Sequence, residues 1–211
     1  MGNNIIVLSK RDTCPEGYIL IDTTSKNPNT ELKRGLSPFY LGPVKCYDDL
    51  ESQNMENAWQ YSKVYSDQVD EFENPNDKYF NWRNTGFNMT FANRYPKGKG
   101  KVPLYSYWKV GTKYKKLGYI EARKQIYIPL YASAVYMTPG YQKLSELIKT
   151  EKKIALIDFD GYNNENFNMS IKDVINCGLR KMGHAFVLKM LLEGDLLVKD
   201  GHIIDTKNIL R

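Results

Sequence analysis

Short apolar runs, separated by polar and turn-forming segments, predict buried strands along the chain. Three such runs lie at residues 4–8, 18–21 and 153–161, and a further strand is expected at 43–47. The run at 153–161 ends in two carboxylates and a glycine, as is typical of a strand that leads into a turn. All runs are far shorter than the roughly 20 apolar residues that cross a membrane. The pattern therefore predicts no membrane span and no membrane partner.

Helix-period patterns and capping residues predict helices between these strands. They are expected at residues 54–68, 113–131, 141–149, 171–176 and 182–193. Ser170 and Asp173 have the spacing of a capping box at the start of the fourth helix. Residues 23–34 are polar and are expected to form a loop. Together the elements predict an α+β fold, helix-rich with a small sheet, in a single domain over residues 1–211, with residues 1–33 as an N-terminal hairpin and loop.

The predicted helix at 54–68 carries an unusual mixture of polar groups. At 3.6 residues per turn, Glu56, Gln60 and Lys63 fall on one face, and Trp59 and Tyr61 flank them. A carboxylate, an amide and an ammonium beside aromatic rings suit a polar pocket for a ribose or a base. The spacing alone is equally that of an exposed Glu–Lys pair on a solvent-facing helix. Both interpretations stay open at this point.

Residue order around this helix resembles that of the NADAR family of N-glycoside hydrolases. The turn Leu36-Ser37-Pro38-Phe39-Tyr40 is followed by a strand and then by the pattern E-x-x-x-Q-x-x-K that starts at Glu56. In the family an Asn stands where this chain has Pro38. The resemblance covers about 30 residues.

The resemblance implies a NADAR-like α+β domain that cleaves an N-glycosidic bond. The implied substrates are ADP-ribose conjugates, including ADP-ribosylated nucleobases in DNA, or phosphoribosylated amines. Glu56 is the implied catalytic carboxylate, which stabilises positive charge on the sugar or activates water. The implied substrate-binding residues are Arg34, Ser37, Tyr40, Trp59, Gln60 and Lys63.

Two further groups of residues are candidates for the site. Asp158 and Asp160 lie at the end of a predicted strand, at positions that would face one side of it, so they could converge on a metal or on ribose hydroxyls, or share the catalytic work. Their alternatives are a turn-capping role and a phosphotransferase motif of the haloacid dehalogenase type. His184 opens a predicted helix and is a candidate substrate ligand, although a structural role suits it equally well.

Charge is unevenly distributed along the chain, whose net charge is +6. Residues 47–77 hold nine acids against Lys63 alone, whereas residues 93–124 hold ten basic residues against Glu121. The basic residues are Arg94, Lys97, Lys99, Lys101, Lys109, Lys113, Lys115, Lys116, Arg123 and Lys124. Trp108 and several tyrosines interleave with them, which favours either stacked bases over a phosphate-binding groove or plain core packing. Nucleic acid is therefore a candidate partner of the Arg94 to Lys124 segment.

No motif in the chain requires a metal or an organic cofactor. Three cysteines without C-x-x-C spacing and two distant histidines predict neither a zinc site nor disulfides, and indicate a reducing cytoplasm, or a host cytoplasm if the chain is viral. The function expected from these observations is hydrolysis of an N-glycosidic bond in a nucleotide-like substrate. The alternatives are a non-catalytic nucleotide- or nucleic-acid-binding protein and a base or sugar transferase on the same scaffold.

Overall fold

The computed structural model describes residues 5–150 and 153–210 and has an α+β fold. The strands are β1 (Ile5–Ser9), β2 (Tyr18–Asp22), β3 (Val44–Tyr47), β4 (Leu50–Ser52), β5 (Lys63–Val64), β6 (Tyr105–Val110), β7 (Lys113–Leu117), β8 (Lys153–Asp158), β9 (Leu197–Lys199) and β10 (His202–Asp205). The helices are α1 (Thr30–Leu36), α2 (Met55–Gln60), α3 (Asp77–Asn88), α4 (Tyr119–Ala122), α5 (Ile128–Tyr136), α6 (Pro139–Lys149), α7 (Ile171–Asn176) and α8 (His184–Leu192). A π-helical turn, Arg123–Tyr127, joins α4 to α5.

A parallel sheet of three strands forms the centre of the fold, in the order β1-β8-β2. Leu156 of β8 lies opposite Val7 on one side and Ile21 on the other. The strands predicted at 4–8 and 18–21 are thus confirmed, with residue 4 outside the described range. The predicted N-terminal hairpin is wrong, because β1 and β2 each pair with β8 in parallel and not with each other.

A second sheet is antiparallel, in the order β5-β6-β7. This sheet includes residues that were predicted to be helical in two places, so both predicted helices are wrong in part. The helix expected at 54–68 ends after Gln60, and Lys63 already pairs with Ser106 of β6. The first part of the helix expected at 113–131 is strand β7, which pairs with the aromatic strand β6. In both places pairing between strands distant in sequence overrides the local helix pattern.

Apolar helices cover the parallel sheet and form the main core with it. α5 and α8 carry the deepest side chains, such as Tyr131, Phe186 and Leu188, which are fully buried with Ile154 of β8. The buried Lys189 of α8 donates hydrogen bonds to the Ile5 carbonyl and, at 2.7 Å, to Glu193. None of the described helices is long and apolar enough to cross a membrane.

Capping explains where several helices begin. Ser170 and Asp173 form the expected capping box of α7. Helix α1 lies inside the segment predicted as a loop, because the Asn29 side chain accepts a hydrogen bond from the Leu32 amide and starts a helix there. α1 leads directly into the Ser37–Pro38 turn and so fixes the approach of that turn to the site described below.

Candidate active site

A cavity of about 380 Å³ opens where the carboxyl end of β8, the N-terminus of α8 and helix α2 meet. The turn at Ser37–Pro38 forms one wall, and the long loop between α3 and β6 contributes Arg94 and Lys101. The volume lies within the range of roughly 300–1,000 Å³ that is usual for small-molecule sites. Polar and charged side chains from five separate segments therefore converge on one concave site.

Helix α2 places Glu56 and Gln60 at this cavity. The Asn54 side chain caps the helix by accepting from the Asn57 amide, and the Glu56 amide donates to the Pro38 carbonyl at 3.0 Å. That second bond ties the helix to the turn, so Glu56 is held beside Ser37 and Pro38 without the longer helix that the sequence predicts.

A chain of hydrogen bonds runs through Gln60. Its side-chain amide Nε2 donates to Glu56 Oε1 at 2.9 Å, and its Oε1 accepts from Lys63 Nζ at 2.6 Å. The Lys63 ammonium also lies 4.8 Å from the centre of the Trp59 ring, a cation–π contact. Among the described residues no donor bonds to Glu56 Oε2, which leaves that oxygen for a water or a substrate hydroxyl.

Burial shifts the pKa values of Glu56 and Lys63, the two ionisable groups at the ends of these hydrogen bonds. Desolvation raises the pKa of Glu56 above its ordinary value, against the opposing effects of the Gln60 hydrogen bond and the Lys63 charge. Desolvation also lowers the pKa of Lys63 to about 8, with Glu56 opposing the shift. A carboxylate and an ammonium that both titrate nearer to neutrality are suited to proton transfer.

Asp158 and His184 form a buried ion pair at the end of β8. His184 Nδ1 lies 2.9 Å from Asp158 Oδ2, and the same oxygen accepts from the Ala185 amide at 3.1 Å, which caps α8. His184 Nε2 lies 2.9 Å from the Thr23 carbonyl oxygen, which can only accept, so this nitrogen carries a proton. Since Nδ1 faces a carboxylate, these contacts favour the doubly protonated imidazolium form of the ring.

The same contacts set the pKa shifts of this pair. Burial opposes the charge of His184, but the attraction and hydrogen bond of Asp158 outweigh it and raise its pKa. Burial likewise opposes the charge of Asp158, and His184 outweighs it and lowers the pKa of Asp158. The Thr23 hydroxyl lies 2.8 Å from His184 Nε2 and donates to the Ile157 carbonyl at 2.7 Å, so its proton is directed away from His184. This Thr–His–Asp arrangement is therefore not a nucleophilic triad.

Asp160 lies in the turn after β8 and not on the strand. Arg94 contacts it at 2.7 Å and Lys181 at 3.9 Å. The expectation that Asp158 and Asp160 share one strand face is wrong, because β8 ends at Asp158 and the Asp160 amide folds back toward the Asp158 side chain. Asp160 instead holds two cations at the cavity.

The π-helical turn supplies a further organising residue, Arg123. Its buried guanidinium donates to the carbonyls of Val174, Ile175, Cys177 and Arg180. These contacts hold the segment between α7 and α8, which carries Lys181 to the cavity. π-Helical turns are frequent at functional sites, and here the turn also brings Tyr127 to the cavity wall.

Most of the residues predicted from sequence line the cavity. They are Ser37, Glu56, Trp59, Gln60, Lys63, Asp158, Asp160 and His184. Their chemical roles remain predictions. Lys63 reaches the site from β5 and not from the predicted helix face.

Three predicted substrate-binding residues lie elsewhere. Arg34 is exposed in the last turn of α1, and Tyr40 is exposed beyond the Pro38 turn with Lys33 over its ring. Trp108 is 4% exposed and packs edge-on against Tyr47 in the second core cluster. Strand β6 turns this side chain inward, so it offers no face to a base.

The basic segment does not form one continuous surface. Arg94 and Lys101 line the cavity, Arg123 is buried, and Lys97 and Lys109 pair with Asp67 and Asp48. The lysines of β7 are exposed; they are Lys113, Lys115 and Lys116. The acidic and basic regions of the chain thus partly neutralise each other.

Sequence reasoning missed several residues of the cavity. Lys181 precedes the singled-out Gly183-His184 pair by only a few residues, and that proximity could have identified it. Tyr127 carries no such indication, because its approach depends on the π-helical turn, and the same holds for Thr23, which does not line the cavity but contacts His184. Within residues 5–150 and 153–210, no group of three or more His, Cys, Asp or Glu side chains could hold a metal.

Comparisons with known proteins give a family and no function. Searches of curated proteins and of solved structures found no match. The resemblance to NADAR remains a prediction. The model of a family of unknown function, DUF6939, matches residues 8–174, which is more than half of the chain, and the chain therefore belongs to that family.

Proposed function

We propose that this protein hydrolyses an N-glycosidic bond in a nucleotide-like substrate, of the ADP-ribose or phosphoribose class. The observation that carries the proposal is the buried Glu56 at the cavity, joined through Gln60 to Lys63. A raised pKa and an available Oε2 equip this carboxylate to accept a proton. The resemblance to NADAR, which rests on the same three residues, supports the same chemistry.

The charges around the cavity suit an anionic substrate. Arg94, Lys101 and Lys181 line it together with Lys63. The acids of the same lining are Glu56, Asp158, which is paired with His184, and Asp160, which contacts Arg94 and Lys181. A guanidinium and several ammonium groups bind phosphate oxygens by charge-assisted hydrogen bonds. Trp59, Tyr127 and Phe159 offer aromatic surface beside them for a base or sugar.

The proposed step uses water as the only co-substrate. Glu56 takes a proton from water, and the oxygen forms a bond to the anomeric carbon while the carbon–nitrogen bond breaks. The electron pair of that bond stays on the leaving nitrogen, which takes a proton from the Lys63 ammonium. Glu56 then loses its proton to solvent and Lys63 regains one, so the products are a free sugar hydroxyl and a protonated leaving group.

We also propose that the reaction occurs in the cytoplasm. The three cysteines are free and partly exposed, as suits a reducing compartment.

A substrate panel tests this function. The protein is incubated with DNA that carries ADP-ribosylated guanine, with free ADP-ribose conjugates and with NAD, and the products are followed by mass spectrometry. We expect release of an ADP-ribose or phosphoribose product from at least one conjugate. Saturable binding of a conjugate without product would assign the cavity to a non-catalytic binding protein. Transfer of the sugar to an acceptor other than water would make the protein a transferase.

A further inference from the structure

A second cavity, of about 420 Å³, adjoins the first one. The two cavities share walls formed by Trp59, Lys63, Val102, Pro103, Tyr119 and Lys181. Lys63 thus lies between the space beside Glu56 and the second cavity. A ligand in the first cavity can extend past this ammonium into the second.

The second cavity is more apolar than the first. Its own walls include Leu104, Leu117 and Leu179, and Leu179 is 99% exposed. A fully exposed leucine beside a concave apolar surface has no packing role in the described fold. Its side chain is therefore accessible to a group bound in the second cavity.

The charges of the second cavity all have one sign. Lys63, Arg180 and Lys181 line it, and no Asp or Glu from the described part of the chain does so. Asp160 lies near Lys181, at 3.9 Å, but belongs to the first cavity. The Arg180 guanidinium stacks on Phe167, outside this cavity, and Lys63 donates to Gln60, but a positively charged group in the second cavity would still meet a cationic lining that contains no acid.

We propose that the second cavity receives the leaving group of the substrate and that it selects a planar, uncharged aromatic group over a cationic one. This inference rests on the proposed function, since it assigns the sugar to the first cavity and the departing nitrogen base to the second. It narrows the substrate class to N-glycosides of neutral aromatic bases. Guanidinium N-glycosides, whose leaving group departs with a positive charge, are excluded by the same charges, whereas a pyridinium glycoside releases a neutral ring that this cavity can receive.

A binding experiment with two matched probes tests the cavity without requiring turnover. Nicotinamide is a neutral aromatic ring, and 1-methylnicotinamide is the same ring with a fixed positive charge. Each is titrated into the full chain while the methyl NMR signals of Leu104, Leu117 and Leu179 are followed. We expect nicotinamide to shift these signals saturably and to bind at least about tenfold more tightly than 1-methylnicotinamide.

A charge variant makes the test specific. Leu179→Asp adds an acid to the second cavity at a position whose exposure makes a folding defect unexpected. It should reduce the preference for nicotinamide at least about threefold, because the new carboxylate attracts the cation. Leu197→Asp, at a partly exposed leucine of β9 that lines neither cavity, should leave the preference unchanged.

The outcomes separate the cavity from the proposed function. Absence of any shift at these leucines, equal affinity for the two probes, or an unchanged preference in Leu179→Asp would overturn the inference. Selective binding of nicotinamide in a protein that cleaves no N-glycoside would instead reject the proposed hydrolysis and leave the neutral-ring site in place. Hydrolysis without selective binding would reject the leaving-group site alone.

Discussion

Glu56 and Lys63 share one hydrogen-bond partner, since Gln60 donates to the Glu56 carboxylate at 2.9 Å and accepts from the Lys63 ammonium at 2.6 Å. Because the Gln60 side-chain oxygen accepts a hydrogen bond from Lys63, the NH₂ group of the same amide points at Glu56. Gln60 thus separates the Glu56 carboxylate from the Lys63 ammonium while hydrogen-bonding to both. Because the site is buried, desolvation disfavours the charged form of each group.

The two shifted pKa values predict a bell-shaped pH profile for kcat/KM. Activity rises as Glu56 loses its proton, at a pH above the ordinary glutamate value of 4.5, and falls as Lys63 loses its own near pH 8. In Lys63→Arg the guanidinium does not release a proton to the leaving nitrogen, so kcat/KM should fall at all pH values and the remaining activity should lack the falling limb near pH 8. A wild-type profile that stays flat across pH 8, or a falling limb that persists in Lys63→Arg, would remove Lys63 from the proton transfer.

Burial of Glu56 predicts that its removal stabilises the fold. The pKa of Glu56 is higher in the folded protein than in the unfolded one. The contribution of Glu56 to the free energy of unfolding is therefore favourable below its ordinary pKa and is lost as the pH rises through its folded pKa. Glu56→Gln should therefore raise the melting temperature at neutral pH by roughly 2–4 °C. Glu51→Gln removes the same charge from an exposed position of β4 and should leave the melting temperature unchanged. Equal or lower stability of Glu56→Gln would show that Glu56 is not strained by burial.

The Asp158–His184 pair predicts a pH-dependent contribution to stability. Because the pKa of His184 is raised in the folded protein, its contribution to the free energy of unfolding is complete below about pH 6.5. This contribution is lost as the pH rises through the pKa of His184 in the folded protein. The lowered pKa of Asp158 makes its contribution present above the ordinary value of 3.8 and lost only as the pH falls through the folded value. Breaking such a buried pair costs about 3–5 kcal/mol.

Urea unfolding measures this contribution. The loss of unfolding free energy in His184→Gln should be full below pH 6.5 and should decrease as the pH rises through the raised folded pKa of His184. His202→Gln changes an exposed histidine of β10 and serves as the control, with no expected loss. A loss that is independent of pH would mean that His184 is neutral in the folded protein.

The close packing of Gly183 on Asp158 leaves no room for a side chain at position 183. A Cβ atom at this position would overlap the Asp158 carboxylate, although the backbone φ of −80° is one that any residue adopts. Gly183→Ala should therefore lower the unfolding free energy by about 1–3 kcal/mol and weaken the site. In Gly178→Ala the new atom meets Ile120 at an ordinary 3.9 Å, so that variant should unfold like the wild type. Similar stabilities for the two variants would contradict the tight packing of Gly183 on Asp158.

Local pattern predicted much of this fold and of its candidate site. Apolar runs located β1, β2 and β8, and the spacing of Glu56, Gln60 and Lys63 indicated three groups that do line one cavity. The geometry behind that spacing was different, because Lys63 leaves the helix and joins β5. The error had no effect on the contact, since the chain turns at Tyr61 and brings Lys63 back to Gln60.

The remaining features depend on contacts between distant segments. Placing Thr23 against His184 requires β2 and β8 to be neighbours, and their pairing cannot be deduced from either strand alone. Trp108 was assigned to substrate because aromatic and basic residues alternate there, yet a strand with one buried face produces the same alternation. Arg34 was assigned to substrate because a guanidinium suits bidentate contact with a phosphate, but the end of α1 points it to solvent.

The most direct test of the proposed hydrolysis is the turnover of Glu56→Gln on whichever conjugate of the substrate panel the wild type cleaves. The amide can keep the hydrogen bond with Gln60 but cannot accept a proton from water. We expect kcat to fall at least about a hundredfold, the usual loss for a general base, with substrate affinity nearly unchanged. A variant as active as the wild type, or a wild type that cleaves no conjugate of the panel, would contradict the assignment of Glu56 as the base of an N-glycoside hydrolase.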